Sequence, residues 1–98
     1  MTETAFYILL SLLEPRHGYG IIQHVQSITN GRITLGAGTV YGTLKKLQKA
    51  ELIKLIADTT DKKVYQVTTA GYQQLKAEQQ RLQELLHNAE VLNDVENA

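Results

Sequence analysis

The residues best placed for chemistry lie between Gly38 and Lys49, and what they offer is a cationic surface. Gly38, Gly42, Lys45 and Lys49 recur at helical spacing, Thr39 and Lys46 flank them, and no carboxylate interrupts the run. Lysines meet phosphates and base edges, and glycines on the same face let the helix backbone come close to a partner. Such a face suits the floor of a DNA groove. Taken alone, the segment reads equally well as a solvated helix with ordinary lysines. Other chemistries find less support. His17, His24 and His87 fall in different segments, and no pair has metal-ligand spacing. Gly36-x-Gly38 lacks the preceding strand of a dinucleotide motif and the lysine–hydroxyl pair of a phosphate loop. The chain has no cysteine, which excludes disulfides, thiolate metal sites and cysteine nucleophiles. A binding protein is expected, not an enzyme, with no cofactor and no metal.

The elements that must hold this face can be read outward from it. Val40, Leu44 and Leu47 fall at i, i+4 and i+7 and form the opposite, core-facing stripe of the same helix. Upstream, a first helix is predicted from about Thr4 to Leu13, apolar almost all round, and stopped by Glu14-Pro15-Arg16-His17-Gly18. A second helix is predicted from about Gly18 to Ile28 with Tyr19, Ile22, Val25 and Ile28 inward. Asn30-Gly31 should end it, because both residues tolerate positive φ. Ile33-Thr34-Leu35 is predicted to be extended and is a candidate short strand. Downstream, Leu52–Asp58 and Lys63–Val67 are rich in β-formers and flank the polar turn Thr59-Thr60-Asp61-Lys62, which predicts a hairpin. Thr68 or Thr69 should cap a final helix running from about Ala70 to the low 90s.

Ninety-eight residues make one small domain with a marginal core unless a partner chain helps. The run Ala5–Leu13 is too short to span a bilayer and lacks the flanks of a signal peptide, so no membrane partner and a cytoplasmic location are expected. A net charge of zero hides segregation along the chain. Residues 14–63 carry eight basic against four acidic side chains, a balance of +4, whereas residues 64–98 carry two against five, or −3. A local basic face governs binding to a polyanion more than the total does.

The last helix has its own pattern. Leu75, Leu82 and Ala89 are seven apart, Leu85 and Leu92 repeat the spacing, and Glu78 and Gln79 interrupt it near the start. Some 70 preceding residues cannot cover a helix of that length, so the stripe should pack on a second copy. Phe6, Leu9, Leu10 and Leu13 of the first helix are expected to share that interface with Leu75, Leu82, Leu85, Ala89 and Leu92. The tail from Asn93 to Ala98 is polar and expected to be disordered. The expected fold is mainly α with a small β-hairpin: a winged helix-turn-helix over residues 1–68, then a long C-terminal dimerisation helix and polar tail over 69–98.

Three local motifs carry a likeness that covers roughly residues 4–92. His17-Gly18-Tyr19-Gly20-Ile21, then Gly38-Thr39-Val40-Tyr41-Gly42-Thr43-Leu44 through Leu47 to Glu51-Leu52-Ile53, then Lys63-Val64-Tyr65-Gln66-Val67-Thr68-Thr69-Ala70-Gly71 occur in order. In these the chain resembles the PadR family of bacterial transcriptional regulators, in particular its short members with one C-terminal helix. It departs from the family pattern at Gly42, where proline usually follows the tyrosine, and at Glu51, where a small residue is usual. Its wing tip is also less arginine-rich. The resemblance implies a homodimeric repressor that binds a palindromic operator and is released by a small effector.

In that setting Thr39, Thr43 and Lys46 are candidates for base-edge contact, with Gly42 admitting close approach. Lys45, Lys49, Tyr41 and the wing residues Lys62 and Lys63 are candidates for phosphate. A flat apolar effector would sit between the first and last helices beside Phe6 and Tyr7. One Phe and no Trp leave tyrosines to supply any aromatic sandwich. The alternative is a winged-helix protein–protein module that never binds DNA, for which the third helix should present an apolar or mixed-charge outer face.

Overall fold

The computed structural model describes residues 1–97. Among these, α1 (Glu3–Ser11), β1 (Arg16–His17), α2 (Gly18–Ile28), α3 (Ala37–Lys49), β2 (Ile53–Asp58), β3 (Lys63–Val67), α4 (Thr69–Ala89) and α5 (Val91–Glu96) follow in chain order. The protein is mainly helical with a small antiparallel sheet of order β1-β3-β2. The expected hairpin is β2–β3, with Ile53 opposite Val67 and Asp58 opposite Lys63, and a register shift between Leu55 and Ala57.

The third strand was not expected. Arg16 and His17, just after the proline, pair with Tyr65 and Val64 on the free edge of β3. Two residues carry no periodicity, so this strand exists only because β3 offers an unpaired edge. Ile33–Leu35, the expected strand candidate, forms none; Leu35 is instead buried in the core.

The core gathers Ile8, Leu9 and Leu12 from the first helix and its end, Ile21 and Val25 from α2, and Val40, Leu44 and Leu47 from α3. Ile53, Tyr65 and Leu75 complete it. The α3 stripe is therefore as expected. On α2 the inward face differs. Tyr19 is 61% and Ile28 44% exposed, while Ile21 is fully buried. Pairing of β1 with β3 fixes the start of α2 so that Gly18, Ile21 and Val25 turn inward. The apolar pattern of α2 could not choose between these neighbouring stripes.

Helix ends follow local chemistry. The Thr2 side chain accepts from Ala5 N–H and caps α1, and Thr68 accepts from Gly71 N–H and caps α4. Asn30 (φ 52) and Gly31 (φ 79) end α2 with positive φ, as expected. The end of α3 closes in the same way through Glu51 at φ 62, with Leu52 N–H donating to the Leu47 carbonyl at 3.0 Å.

The last helix starts as expected, with Thr68 as its cap, but ends at Ala89 and breaks at Glu90, short of the low 90s expected for it. Residues 93–96, expected to be disordered, belong to α5; Ala98 lies outside the described residues. The far half of α4 extends beyond the core. The radius of gyration is 16.0 Å with extents of 61 × 28 × 19 Å, against about 13 Å for a compact domain of this length.

Candidate nucleic-acid interface

The two faces of α3 are sharply sorted. Val40, Leu44 and Leu47 are buried, whereas Gly38, Thr39, Tyr41, Gly42, Lys45, Lys46 and Lys49 are exposed and Thr43 is half-buried. None of the ion pairs among the described residues engages Lys45, Lys46, Lys49, Lys62 or Lys63. Their charge is thus free to act outward. A Cβ built at Gly38 or Gly42 would meet nothing within 4 Å, so the protein itself leaves this surface open.

Lys62 and Lys63 stand at the tip of the β2–β3 hairpin. Thr59 N–H donates to the Lys62 carbonyl at 2.9 Å, and Lys62 N–H donates to Thr59 Oγ1 at 3.2 Å, which closes the turn. The hairpin tip and α3 meet across a groove of about 390 Å³ lined by His17, Gly18, Tyr41, Tyr65 and residues 59–63. The structure therefore brings Tyr41 of α3 and the wing lysines to one groove, with the cationic run of α3 continuing from it.

Tyr41, the aromatic candidate for phosphate, packs at the rim of this groove against the start of α2. A Cβ at Gly18 would stand 2.9 Å from the Tyr41 ring and hydroxyl, so glycine at the start of α2 makes room for the aromatic side chain. Tyr41 nevertheless remains 57% exposed. His17 lines the groove as well. The signal that could have found this pairing is Gly18 itself, a small residue at the first turn of a helix with an aromatic side chain to accommodate.

Arg16, although basic, is committed to the fold: its Nε donates to the Ser11 carbonyl at 2.8 Å. His24 is held below its ordinary value first by burial and then by the Arg16 charge. Among the described residues no group of His, Asp and Glu could hold a metal ion. No helix among them is long and apolar enough to cross a membrane.

The residues expected at a dimer interface separate into two sets. Leu9 is fully buried and Leu75 is 5% exposed; both pack into the core of their own chain, which corrects their expected role. With α1 apolar all round, its sequence could not say which face turns inward. Leu13, Leu82, Leu85, Ala89 and Leu92 are exposed, and Phe6 and Leu10 are half-buried at the line where α1 meets α4. Glu78, read in sequence only as a break in the stripe, is buried. The Arg81 guanidinium donates to its carboxylate and the N-terminal ammonium lies 3.6 Å away. The hydrogen bonds from Arg81 hold its carboxyl below the usual carboxylate range.

A family model described as "Transcriptional regulator PadR-like family" matches residues 8–77, from the middle of α1 into the first half of α4. The chain is 30% identical over 78 residues to the transcriptional regulator YqjI of Escherichia coli, a match covering 78% of this chain and 38% of that protein. It thus spans well under half the length of that relative. A transcriptional regulator from Clostridium thermocellum superposes with a TM-score of 0.69 at 25% identity, over 92% of this chain and 87% of that one. A PadR family transcriptional regulator from Eggerthella lenta shares the fold with a TM-score of 0.74 at 22% identity, over 90% and 79% of the respective chains. With the winged helix and its outward cationic helix in place, these matches make the chain a member of the transcriptional regulator PadR-like family.

Proposed function

We propose that the protein is a repressor that binds a palindromic operator as a homodimer, with α3 in the major groove and the β2–β3 wing on the flanking backbone. The observation that carries this reading is the outer face of α3, exposed, cationic and free of carboxylate, beside a wing tip bearing two further lysines. Thr39, Thr43 and Lys46 reach base edges, Gly42 admits the close approach, and Lys45, Lys49, Lys62, Lys63 and the Tyr41 hydroxyl take phosphates. A protein–protein module would be expected to present an apolar or mixed-charge face there.

Dimerisation is supported by the exposed Leu82, Leu85, Leu86 and Leu92 on a helix that outruns its own core. Two copies related by a two-fold axis would present their α3 helices about 34 Å apart, one turn of duplex. Repression follows from occupancy: a dimer lying across an operator excludes polymerase from it. A small apolar effector is supported by two open grooves flanking Phe6, of about 270 and 320 Å³, between α1 and α4. A ligand wedged there would change how the arm sits on the reading head.

The test is a mobility shift on the protein's own upstream DNA at two salt concentrations. Steep weakening with salt is expected from phosphate contacts, whereas no binding at about 50 mM salt refutes the DNA-binding reading. Sedimentation at micromolar protein should show a dimer. An aromatic ligand series that neither stabilises the dimer nor releases DNA would remove the effector.

A further inference from the structure

Four hydrogen bonds converge where β3 runs into α4. Val67 N–H donates to the Leu12 carbonyl beyond the end of α1 at 2.8 Å, and Thr68 N–H donates to the Leu52 carbonyl at 3.0 Å. The Thr68 hydroxyl donates to the Glu51 carbonyl at 2.8 Å, and Gly71 N–H donates to Thr68 Oγ1 at 3.1 Å. Glu51 and Leu52 are the residues that close the C-terminal cap of α3. The N-cap residue of α4 is therefore bonded to the two residues that follow the C-cap of α3. The contact is as close as main chain permits, since a Cβ at Gly71 would lie 2.1 Å from the Leu52 carbonyl oxygen.

Thr68 does two things in this joint. As acceptor it caps α4; as donor it ties α4 to α3. The second exceeds what a helix cap requires. Its leverage is large, because α4 has 21 residues and so spans about 31 Å. A swing of about 6° at the joint moves the far end by about 3 Å, close to the ~3.4 Å rise of one base pair.

Resting on the dimeric, DNA-binding reading above, we propose that the Thr68 hydroxyl is a positioning group. It fixes the angle between the recognition helix and the arm, and thereby the spacing at which two copies read their half-sites.

Three substitutions separate the two roles. Thr68→Ser keeps donor and acceptor. Thr68→Asp keeps the acceptor, and caps a helix as well as threonine does, but has no proton for the Glu51 carbonyl. Thr68→Ala removes both without adding charge, and carries the same expectation as Thr68→Asp should the carboxylate prevent folding. The probe is duplex selected by the wild-type protein from a randomised library, then remade with the central spacer one base pair longer or shorter, and also as a single half-site.

The wild type and Thr68→Ser should reject the altered spacers by about tenfold, the scale of one misplaced base-pair contact. Thr68→Asp should sediment as the wild type does and bind the half-site unchanged, yet distinguish the spacers by only about twofold. A Thr68→Asp protein that keeps the wild-type spacer preference overturns the proposal. So does one that loses half-site and full-site affinity together, because the hydroxyl would then serve only the fold. If the wild-type protein sediments as a monomer or selects no paired half-sites, the dimeric reading fails and takes this proposal with it.

Discussion

Alanine at position 42 separates what the fold wants from what the proposed partner wants. Gly42 sits in the interior of α3, where glycine costs about 1 kcal/mol relative to alanine. Its added Cβ would meet nothing within 4 Å, so no packing loss offsets that gain. Gly42→Ala should therefore stabilise the protein by about 1 kcal/mol and raise Tm by about 4–8 °C at fixed protein concentration. If the open face is filled by DNA, the same methyl intrudes on the groove floor and operator affinity should fall by about tenfold, within the range of one disturbed base contact. Circular dichroism melts and fluorescence anisotropy on operator duplex measure the two effects in one preparation. A higher Tm with unchanged affinity would place Gly42 away from DNA; a lower Tm would refute the helix-interior reasoning itself. Gly71→Ala is the internal contrast. It makes the same chemical change in a helix, but with a carbonyl oxygen 2.1 Å and Val67 Cγ2 2.6 Å from the new atom. It should destabilise by about 1–3 kcal/mol in urea titration.

Glu51 holds φ 62 without being glycine, a conformation costing an L-residue about 1–2 kcal/mol. Glu51→Gly should therefore raise stability, by about 0.5–1 kcal/mol once the greater unfolded-state freedom of glycine is subtracted; an unchanged urea midpoint would count against the strained cap. Lys49→Ala should flatten the slope of log affinity against log salt by about 0.9, the share of a single phosphate that the lysine neutralises. A slope equal to the wild type's would remove Lys49 from the interface. Glu78 has a folded pKa below its ordinary 4.5 because Arg81 hydrogen-bonds the charged form. Its contribution to stability is thus fully present above pH 4.5 and is lost as pH falls through the lower folded value. Glu78→Gln should weaken the fold at neutral pH and flatten the acid limb of the stability curve. A variant with the wild-type acid limb would show that the pair contributes nothing.

How much of this was legible in the chain depends on whether a signal was local. The outer face of α3 could be read because Val40, Leu44 and Leu47 define the inside of the helix unambiguously, and the exposed lysines follow by subtraction. The α4 cap could be read to within one residue, Thr68 or Thr69, because threonine before a helical pattern is a local signature. The Asn30-Gly31 terminus was legible for the same reason. What failed was non-local. β1 exists through the edge of a strand nearly fifty residues away, and the choice of Ile21 over Tyr19 follows from that pairing. Leu9 and Leu75 looked like interface residues because apolar character alone does not say which neighbour a side chain meets. Glu78 looked like a fault in a stripe; in space it is buried and takes hydrogen bonds from Arg81 one turn on.

Because Arg16 and His17 are laced to the far edge of β3, the wing is no independent flap. It travels with the start of α2, and through Gly18 with the tyrosine of α3. Were a duplex bound here as proposed, more of the yielding would fall to the DNA. Flexible pyrimidine–purine steps would conform cheaply, and stiff tracts would resist. Discrimination would then extend to base pairs that no side chain reaches, written in the mechanics of the DNA instead of its hydrogen-bond edges.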